Sequence, residues 1–341
     1  MRITAIIVNY RTPDLVIRSL EALARERATI ADLTALVVDN ASGDNSVAVL
    51  SEAINQPPLS DWVRFLPLPV NGGFGWGNNQ AMLHILQSGA RPDAFFLLNP
   101  DTVIERGALH ELARILDRHQ DAGVAGSQLL DTDGSLSASA FRFPTQAHEF
   151  LRGLGIVRAG RLLGIEPDVL PYGVSGPVDW VTGASFLIRT RALEQCGMFD
   201  TGFFLYYEEV ELMHRLARHG WKTYHCPESR VVHMAGASTG LVGGKAVTNR
   251  APPDYLFHSR NRYFALTLGK HRALLANLAW LAGYVISCLL TPIRKKPDRS
   301  QTRAERKALL RIGLRARRQD AVPAVGRTDE IAGELPSWMN G

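Results

Sequence analysis

A polar corner, Asn99-Pro100-Asp101, follows the apolar run Ala94–Leu98 and carries the clearest chemical potential in the chain. A carboxylate at the C-terminal end of a buried strand is a common ligand-binding position in α/β proteins. Such a carboxylate can also hold a divalent cation against a diphosphate. Alone, the corner is equally consistent with an Asx-type turn after a strand, so its interpretation depends on the elements around it.

The segments around this corner alternate between strand and helix patterns, which predicts a doubly wound α/β unit. Apolar, β-branched runs mark the strands, and amphipathic spacing marks the helices. The predicted elements, in chain order, are a strand at Ile3–Asn9, a helix at Pro13–Glu26, a strand at Leu33–Val38, a helix from Ser46, a strand at Val63–Leu68, a Gly-rich loop at Asn71–Asn79, a helix at Gln80–Gln87, a strand at Ala94–Leu98, a helix at Ala108–His119 and a strand at Gly123–Gln128.

Polar residues stand at the ends of four of these strands. Because the carboxyl ends of parallel strands meet at one edge of a sheet, we expect Asn9, Tyr10, Asp39, the loop Asn71–Asn79 and Asp101 to converge. Tyr10 can stack on a base, Asp39 can accept a hydrogen bond from a pyrimidine imide, and the glycines let backbone approach a ribose or phosphate. Each feature alone fits a structural role at least as well. Together they predict a site for a nucleoside diphosphate.

The second half of the chain has a less regular pattern. Residues 129–178 are irregular and rich in Gly and Pro, which indicates a loop-dominated insertion that could close over a site. The later predicted elements are strand character over Val178–Arg189, a helix within Leu205–His219 that begins near Glu208, short strands at Thr223–Cys226 and Arg230–His233, a mobile Gly-rich loop at 236–256 and a helix at His258–Lys270.

An apolar segment, Ala273–Leu290, lies between the basic pairs His271-Arg272 and Arg294-Lys295. Its length of about eighteen residues is slightly short of the ~20 that span a bilayer. Basic flanks suit a helix that dips into an anionic cytoplasmic leaflet. A core helix or a dimer helix is the alternative, and the tail from Val322 onward is predicted to be disordered.

Charge and cysteine content exclude several protein classes. The net charge is +5, but residues 294–320 hold eleven Lys/Arg against three acidic residues, which is +8, so the rest of the chain is −3. No aromatic residue interleaves these cations, which argues against nucleic-acid binding.

Three widely spaced cysteines indicate reduced thiols in a cytosolic protein. The chain opens on an apolar strand, so we expect no cleavable signal peptide.

The order and spacing of these motifs resemble family 2 glycosyltransferases of the GT-A fold, in the bacterial rhamnosyltransferase-like branch. The resemblance covers roughly residues 3–265 and is carried by Ile6–Arg11, Val37–Ser42, Asn71–Asn79, Leu97–Asp101, Trp180–Ala184, Tyr207–Leu212 and Val232-His233. It implies an α/β fold with a Rossmann-like, mostly parallel sheet flanked by helices and a C-terminal helical membrane-associating extension. The implied domains are a GT-A domain at 1–265, with a nucleotide-sugar half at 1–128 and an acceptor half at 129–265, an apolar helix at 266–296 and a basic, partly disordered tail at 297–341.

The resemblance also assigns roles along the predicted sheet edge. The implied donor-binding residues are Asn9, Tyr10, Asp39, Asn71, Gly73, Phe74, Asn78, Asn99 and Asp101. Asn99 replaces the first carboxylate of the family's metal-binding DxD motif, so Asp101 is the surer ligand for Mg²⁺ or Mn²⁺. His233 matches a histidine that completes the metal or diphosphate site in some relatives. A strand histidine with a purely structural role is the alternative.

The general base is implied in the segment Tyr207–Glu211, where the family usually has Glu-Asp-x-Asp. Glu209 stands at the position of the base, and Glu208 is the alternative. A solvated acidic helix start, favoured by the helix dipole, would explain the same residues without catalysis. The implied sugar and acceptor pocket contains Trp180, Thr182, Gly183 and Glu211. The indole can stack on a sugar ring, and it fits a core position nearly as well.

These roles imply an inverting glycosyltransferase. It would move a sugar from dTDP-rhamnose or a UDP-hexose to a hydroxyl of a lipid-linked or cell-envelope glycan, peripheral to the cytoplasmic membrane face. The leaving diphosphate needs a cation and backbone donors, and the attacking hydroxyl needs a carboxylate. Because Asn99 and Glu209 stand where the family has Asp, the alternative is a catalytically weak GT-A domain that acts as a membrane-tethered scaffold. A nucleotidyltransferase is disfavoured because no basic, Gly-rich triphosphate loop follows the first strand.

Overall fold

The computed structural model describes residues 1–155, 160, 163–234, 241–242, 245–246, 253–290 and 306–313. The strands are β1 (Ile3–Asn9), β2 (Leu33–Asp39), β3 (Val63–Pro67), β4 (Ala94–Leu98), β5 (Thr102–Ile104), β6 (Ala122–Leu130), β7 (Ala140–Phe141), β8 (Gly176–Val178), β9 (Trp180–Val181), β10 (Ser185–Arg189), β11 (Lys222–His233), β12 (Leu241–Val242) and β13 (Lys245–Ala246). The helices are α1 (Pro13–Ala24), α2 (Ser46–Ile54), α3 (Phe74–Gln87), α4 (Ala108–Arg118), α5 (Gln146–Leu154), α6 (Thr190–Cys196), α7 (Glu208–Arg218), α8 (Asp254–Leu268) and α9 (Lys270–Leu289).

A nine-stranded sheet forms the centre of the described part of the chain, in the order β3-β2-β1-β4-β10-β6-β11-β5, with β8 also beside β11. The pairs β2–β3, β1–β2, β1–β4 and β6–β11 are parallel. The pairs made by β10, β5 and β8 are antiparallel. The sheet is therefore mixed: β3, β2, β1, β4, β6 and β11 run in one direction, and β10, β5 and β8 run in the other.

Strand register brings the predicted site segments to one edge of the sheet. Asn9 of β1 pairs with Asp39 of β2, so two of the polar strand ends are level. Ser185, the first residue of β10, pairs with Leu98 at the end of β4. Since β10 runs antiparallel, the residues just before it arrive at the same edge. His233 of β11 pairs with Thr102 of β5, immediately beside the polar corner.

The central strands β1 and β4 are buried along their whole length because helices cover both faces of the sheet. Alternate residues of β1 illustrate this division. Ile3 and Ile7 pack in a core with residues of α1, α2 and α4. Ile6 and Val8 pack on the other face, in a core with residues of α3, α6 and α7.

The predicted loop Asn71–Asn79 is partly wrong, since α3 begins at Phe74 and includes two of its glycines. A Cβ at Gly75 would lie 3.0 Å from Cβ of Phe199, and a Cβ at Gly77 would lie 2.9 Å from Cγ1 of Val8. These glycines therefore let α3 pack closely and do not mark a loop.

The predicted loop-dominated insertion at 129–178 contains regular structure, namely β7, α5 and β8. Thr145 caps α5 by accepting a hydrogen bond from the backbone N–H of His148. The two predicted short strands near the end of the sheet form one strand, β11, with a register shift between Cys226 and Arg230. The helix predicted at His258–Lys270 corresponds to α8, which begins earlier, at Asp254. Most of the predicted mobile loop at 236–256 and of the tail at 297–341 lies outside the described residues.

Candidate active site

A buried hydrogen-bond network holds Asp39 at the end of β2. Its Oδ2 accepts hydrogen bonds from Asn9 Nδ2 and from Ser42 Oγ, both at 2.7 Å. Its Oδ1 accepts from the backbone N–H of Ser42 at 3.0 Å. Asn9 also accepts from Thr12 through Oδ1. The two predicted donor residues Asn9 and Asp39 are thus brought together, with Ser42 as a third member that the motif reading did not single out.

Arg11 closes this corner next to Tyr10. The guanidinium carbon of Arg11 lies 5.1 Å from the centre of the Tyr10 ring, and its Nε donates to the carbonyl of Ser42 at 2.8 Å. The backbone of Arg11 has φ of 61°, a conformation that costs energy for a residue other than glycine. Positive φ at a bulky residue cannot be read from a sequence motif, and Arg11 lies in the same corner as the predicted donor residues Asn9 and Tyr10.

Asn40 links the end of β2 to the start of α3. Its Nδ2 donates to Asn71 Oδ1 at 2.9 Å and to the carbonyl of Gly73 at 3.1 Å. Asn71 Oδ1 also accepts from the N–H of Gly73 at 3.0 Å. Asn78, one turn into α3, is buried and donates to the carbonyl of Phe74. Its side chain therefore lies within the helix packing, away from an incoming ligand.

The polar corner after β4 is completed by β11. Asp101 is 5% exposed, and its Oδ1 lies 3.3 Å from Nε2 of His233. The backbone carbonyl of Asp101 accepts from the N–H of Met234 at 2.9 Å, which fixes the end of β11 on the corner. Asn99 is half-buried, and its N–H donates to the carbonyl of Ala184 at 2.9 Å. Residues far apart in sequence thus form one polar edge.

The turn before β10 lies between this edge and α7. Thr182 donates through its N–H to the carbonyl of Ser139, so the insertion supports the turn. Gly183 packs directly against the carboxyl group of Glu209, since a Cβ at Gly183 would lie 3.7 Å from Oε1. The Trp180 ring stacks on Phe141 with centroids 4.1 Å apart. The indole face toward Phe141 is therefore closed to a sugar ring.

Two carboxyl groups begin α7, Glu208 buried and Glu209 half-buried. Burial raises the pKa of Glu208 well above its usual range, and the neighbouring Glu209 raises it further. Burial raises the pKa of Glu209 to about 7, while backbone N–H groups of Glu209, Val210 and Gly183 moderate the rise. One carboxyl oxygen on each is buried without a hydrogen-bond partner among the described residues. Glu209 is the more exposed of the two.

Glu211 has a different environment from the other two acids. Its carboxylate accepts hydrogen bonds from Nε and Nη2 of Arg215 at 3.0 and 2.9 Å. Arg215 also donates to the carbonyls of Cys196, Gly197 and Met198. The pair ties α7 to the end of α6, so Glu211 is placed in a structural clasp rather than in the predicted sugar pocket.

The segment 199–207 connects the donor edge to the acidic helix. Asn79 of α3 bonds both the N–H and the carbonyl of Phe199. Nη2 of Arg262, on α8, donates to both carboxylate oxygens of Asp200, at 2.8 and 2.9 Å. Tyr206 and Tyr207, directly before α7, have φ of 69° and 71°. Consecutive left-handed tyrosines are strained, and surrounding contacts must hold them in place.

Comparison with known proteins identifies the family. Residues 1–262 match the family described as "Glycosyltransferase like family 2". The chain belongs to this family. It is 28% identical over 242 residues to the N-acetylglucosaminyl-diphospho-decaprenol L-rhamnosyltransferase of Mycobacterium tuberculosis, covering 67% of this chain and 76% of that relative. It is 26% identical over 197 residues to the rhamnosyltransferase WbbL of Escherichia coli K12, covering 56% of this chain and 71% of WbbL.

A solved structure supports the GT-A fold of this family 2 glycosyltransferase. The fold matches a mannosyltransferase from Pyrobaculum calidifontis in complex with GDP-Man and Mn2+ with a TM-score of 0.52. The match covers 91% of this chain and 80% of that chain at 14% identity. At this identity the likeness concerns the fold alone, a mixed sheet flanked by helices with the polar strand ends along one edge.

The polar edge has donors that fit a divalent cation shared with a ligand. Asp101 and His233 point at one another, and Asn99 stands two residues before Asp101. Within the described residues, no group of three or more His, Cys, Asp or Glu side chains could hold a metal ion. Magnesium commonly binds through one or two carboxylates together with substrate phosphates. The residues therefore suit a cation that is bound together with a diphosphate and do not suit a closed metal cage.

Proposed function

We propose that this family 2 glycosyltransferase is an inverting, divalent-cation-dependent enzyme. It transfers a sugar from a nucleoside-diphosphate sugar to a hydroxyl of a lipid-linked or cell-envelope glycan at the cytoplasmic face of the membrane. Residues 1–128 hold the donor, and residues 129–265 hold the acceptor. The single observation that carries the proposal is Glu209, a partly accessible carboxyl group with a pKa of about 7 that packs against Gly183. The next residue, Ala184, accepts a hydrogen bond from Asn99, two residues before Asp101.

In this proposal Glu209 is the general base, and Glu208, whose pKa burial raises well above its usual range, lies beside it. The acceptor hydroxyl gives its proton to the Glu209 carboxylate as its oxygen bonds to the anomeric carbon. The bond from that carbon to the diphosphate oxygen breaks, and its electron pair leaves with the diphosphate. Attack from the face opposite the leaving group inverts the anomeric centre. A base with a pKa near the working pH combines a populated carboxylate with enough basicity to accept the proton.

The donor is held by chain groups along the sheet edge. Tyr10 and Asp39 contact the base, while Asn71, Gly73 and Phe74 bring backbone toward the ribose and phosphates. The N–H groups at the start of α3 favour negative charge there. Asp101, His233 and Asn99 hold the cation, which supplies charge stabilisation to the departing diphosphate. Thr182 and Gly183 border the transferred sugar beside Glu209.

Two relatives are named as rhamnosyltransferases, and this supports rhamnose as the transferred sugar. The name of the Mycobacterium tuberculosis relative includes a diphospho-decaprenol, which supports a polyprenyl-diphosphate-linked acceptor. We therefore propose dTDP-rhamnose as the first donor to test and UDP-hexoses as the second.

Donor binding and turnover test the proposal. We would measure binding of dTDP-rhamnose, UDP-glucose, UDP-galactose and GDP-mannose by calorimetry, with and without Mn²⁺ or Mg²⁺, and then assay transfer to a polyprenyl-diphosphate-linked sugar. Asp101→Asn should remove metal-dependent binding, whereas the exposed control Asp32→Asn should bind as the wild type does. Binding without any transfer, across all four donors, would instead support the scaffold alternative. Absence of binding to every donor would contradict the proposal.

A further inference from the structure

Helix α9 has one buried face and one exposed apolar face. Ala276, Asn277, Trp280, Gly283 and Tyr284 face the protein. The opposite face forms an exposed apolar stripe, which consists of Leu274, Leu275, Leu278, Val285, Ile286 and Leu289. Exposure reaches 73% at Leu289. Exposed apolar residues that recur along a whole helix mark a surface that is covered in use.

Close backbone packing fixes the buried face of α9 on α5. A Cβ at Gly153 would lie 2.1 Å from the carbonyl oxygen of Trp280, and a Cβ at Gly283 would lie 2.2 Å from the carbonyl oxygen of Phe150. The two glycines therefore allow the helices to touch backbone to backbone. Any movement of α9 away from α5 would open this contact along its length.

A buried polar cluster secures the same contact. Arg260 of α8 donates to Glu149 of α5 at 2.6 Å and also donates to Asn277 of α9. Arg260 and Glu149 are both nearly fully buried. Separating α9 from α5 and α8 would remove the Asn277 acceptor from the buried, charged Arg260, which is unfavourable. The stretch His271–Leu289 is long and apolar enough to cross a bilayer, but its contacts keep it on the protein as a surface helix.

Charges around the stripe are of one sign. Residues 270–296 contain no Asp or Glu, and basic residues flank both ends of the stretch. Arg272 is exposed at the start of the helix. The short helical segment that contains Ala308 and Leu309 packs beside α9, and it carries the exposed Lys307. An anionic lipid surface complements this pattern. A second copy does not, because antiparallel stripes would bring basic end against basic end.

We propose that the apolar stripe of α9 lies flat in the interface of an anionic membrane, with the flanking cations on the lipid phosphates. The depth of insertion is that of an interfacial helix, in which side chains enter the acyl boundary and the helix axis stays parallel to the surface. This inference stands on the stripe and its charges, and its test measures lipid binding without any sugar transfer. It can therefore fail while the proposed reaction holds, and the reverse is also true.

Cys288 offers a direct probe of the stripe. It is exposed next to Leu289, whereas Cys196 and Cys226 are buried. A solvatochromic fluorophore attached to Cys288 of the full chain should shift to shorter wavelength with phosphatidylcholine vesicles that contain phosphatidylglycerol. It should shift much less with pure phosphatidylcholine. An unchanged spectrum with anionic vesicles would overturn the proposal.

Vesicle co-sedimentation of a double variant tests the named face. Leu275→Gln with Leu289→Gln should weaken binding to anionic vesicles about tenfold or more, since two leucine side chains that would insert into the lipid are lost. Leu136→Gln with Leu163→Gln, at exposed leucines outside α9, is the matched control and should bind as the wild type does. Equal binding of both double variants would overturn the proposal. Loss of self-association in the α9 variant without lipid would assign the stripe to a dimer, and resistance of the wild type to alkaline extraction would assign α9 as a spanning helix.

Discussion

Gly73 lies against the backbone carbonyl of Phe204. A Cβ at Gly73 would lie 1.9 Å from that oxygen, and the next residue, Phe74, donates its N–H to the same carbonyl at 3.1 Å. Phe204 stands four residues before Glu208, so the proposed donor loop and the segment that leads to the proposed base share one contact. On the proposed roles, donor binding at this loop would position the base.

Substitution of Gly73 tests this contact. Gly73→Ala should abolish most transfer activity, because alanine would collide with the Phe204 carbonyl and because φ is 94° at this position. Gly134→Ala is the control, since Gly134 has φ of 83° but nothing within 4 Å of its added Cβ. Thermal unfolding and steady-state kinetics would be measured on both. A Gly73→Ala enzyme as active as Gly134→Ala would contradict the proposed coupling.

The pKa of Glu209 gives a pH dependence with a defined sign. Transfer requires the carboxylate form of the base, so kcat/KM should rise with pH up to about 7 and then level off. Glu209→Gln should lower kcat by roughly 10²–10⁴-fold and remove this rise. The exposed Glu52→Gln on α2 is the control and should keep the wild-type profile. The profile would be measured between about pH 5 and 8, a range that brackets a raised Glu pKa. A wild-type kcat/KM that does not change over this range would contradict the assignment.

The same raised pKa also predicts a stability effect. Folding holds the Glu209 proton above the ordinary pKa of 4.5, so the unfolded chain releases it first as the pH rises. Ionisation of Glu209 therefore lowers the free energy of unfolding as the pH rises from about 4.5 through 7. Glu209→Gln should be more stable than the wild type at alkaline pH, and the two should converge in acid. Chemical denaturation at several pH values measures this, and a constant difference would contradict the raised pKa.

Arg262 is predicted to position the segment before α7. It binds Asp200 in a buried bidentate pair and lies over the ring of Phe203. Arg262→Leu should cost about 3–5 kcal/mol of stability, because Asp200 would be left buried and unpaired. Arg114→Leu, which breaks the exposed pair with Glu111, is the control and should cost about 1 kcal/mol or less. Urea denaturation gives the loss of unfolding free energy for both variants. A similar loss in the two would argue against a stabilising role for the buried Arg262–Asp200 pair.

The cation site gives a separate prediction. Asp101→Asn should weaken Mn²⁺ binding in the presence of a nucleoside diphosphate, because it removes the negative charge from the ligand. His233→Ala should weaken it to a smaller extent, since the ring lies 3.3 Å from Asp101 and completes the same edge. Paramagnetic enhancement of water relaxation by Mn²⁺ reports this binding without turnover. Equal Mn²⁺ affinity in Asp101→Asn and wild type would place the cation elsewhere.

Much of the fold could be predicted because apolar runs and polar strand ends are local patterns. Asn9, Asp39 and Asp101 stand where strand alternation placed them, at the ends of β1, β2 and β4. The antiparallel β10 was not predictable, since strand direction depends on long-range pairing. The predicted helix begins at Gln80, whereas α3 begins at Phe74. The prediction is late because the glycines in this segment resemble a loop, although they serve close packing.

The candidate site was only partly accessible from the motifs. Glu208 and Glu211 share an acidic run and are both buried, yet burial raises the pKa of Glu208, whereas Arg215 binds the carboxylate of Glu211. Arg262 lies 54 residues after Glu208 in sequence, and nothing local connects it with the segment that it holds. Such roles arise from tertiary contacts, which spacing along the chain does not encode.

The most direct test of the central claim is one transfer assay on Glu209→Gln with defined product stereochemistry. With the donor that binds and a polyprenyl-diphosphate-linked acceptor, the wild type should form a product of inverted anomeric configuration by NMR. Glu209→Gln should bind the donor with unchanged affinity and form almost no product. Retained configuration in the wild-type product, or near-normal turnover by Glu209→Gln, would contradict the account of Glu209 as the base of an inverting transfer.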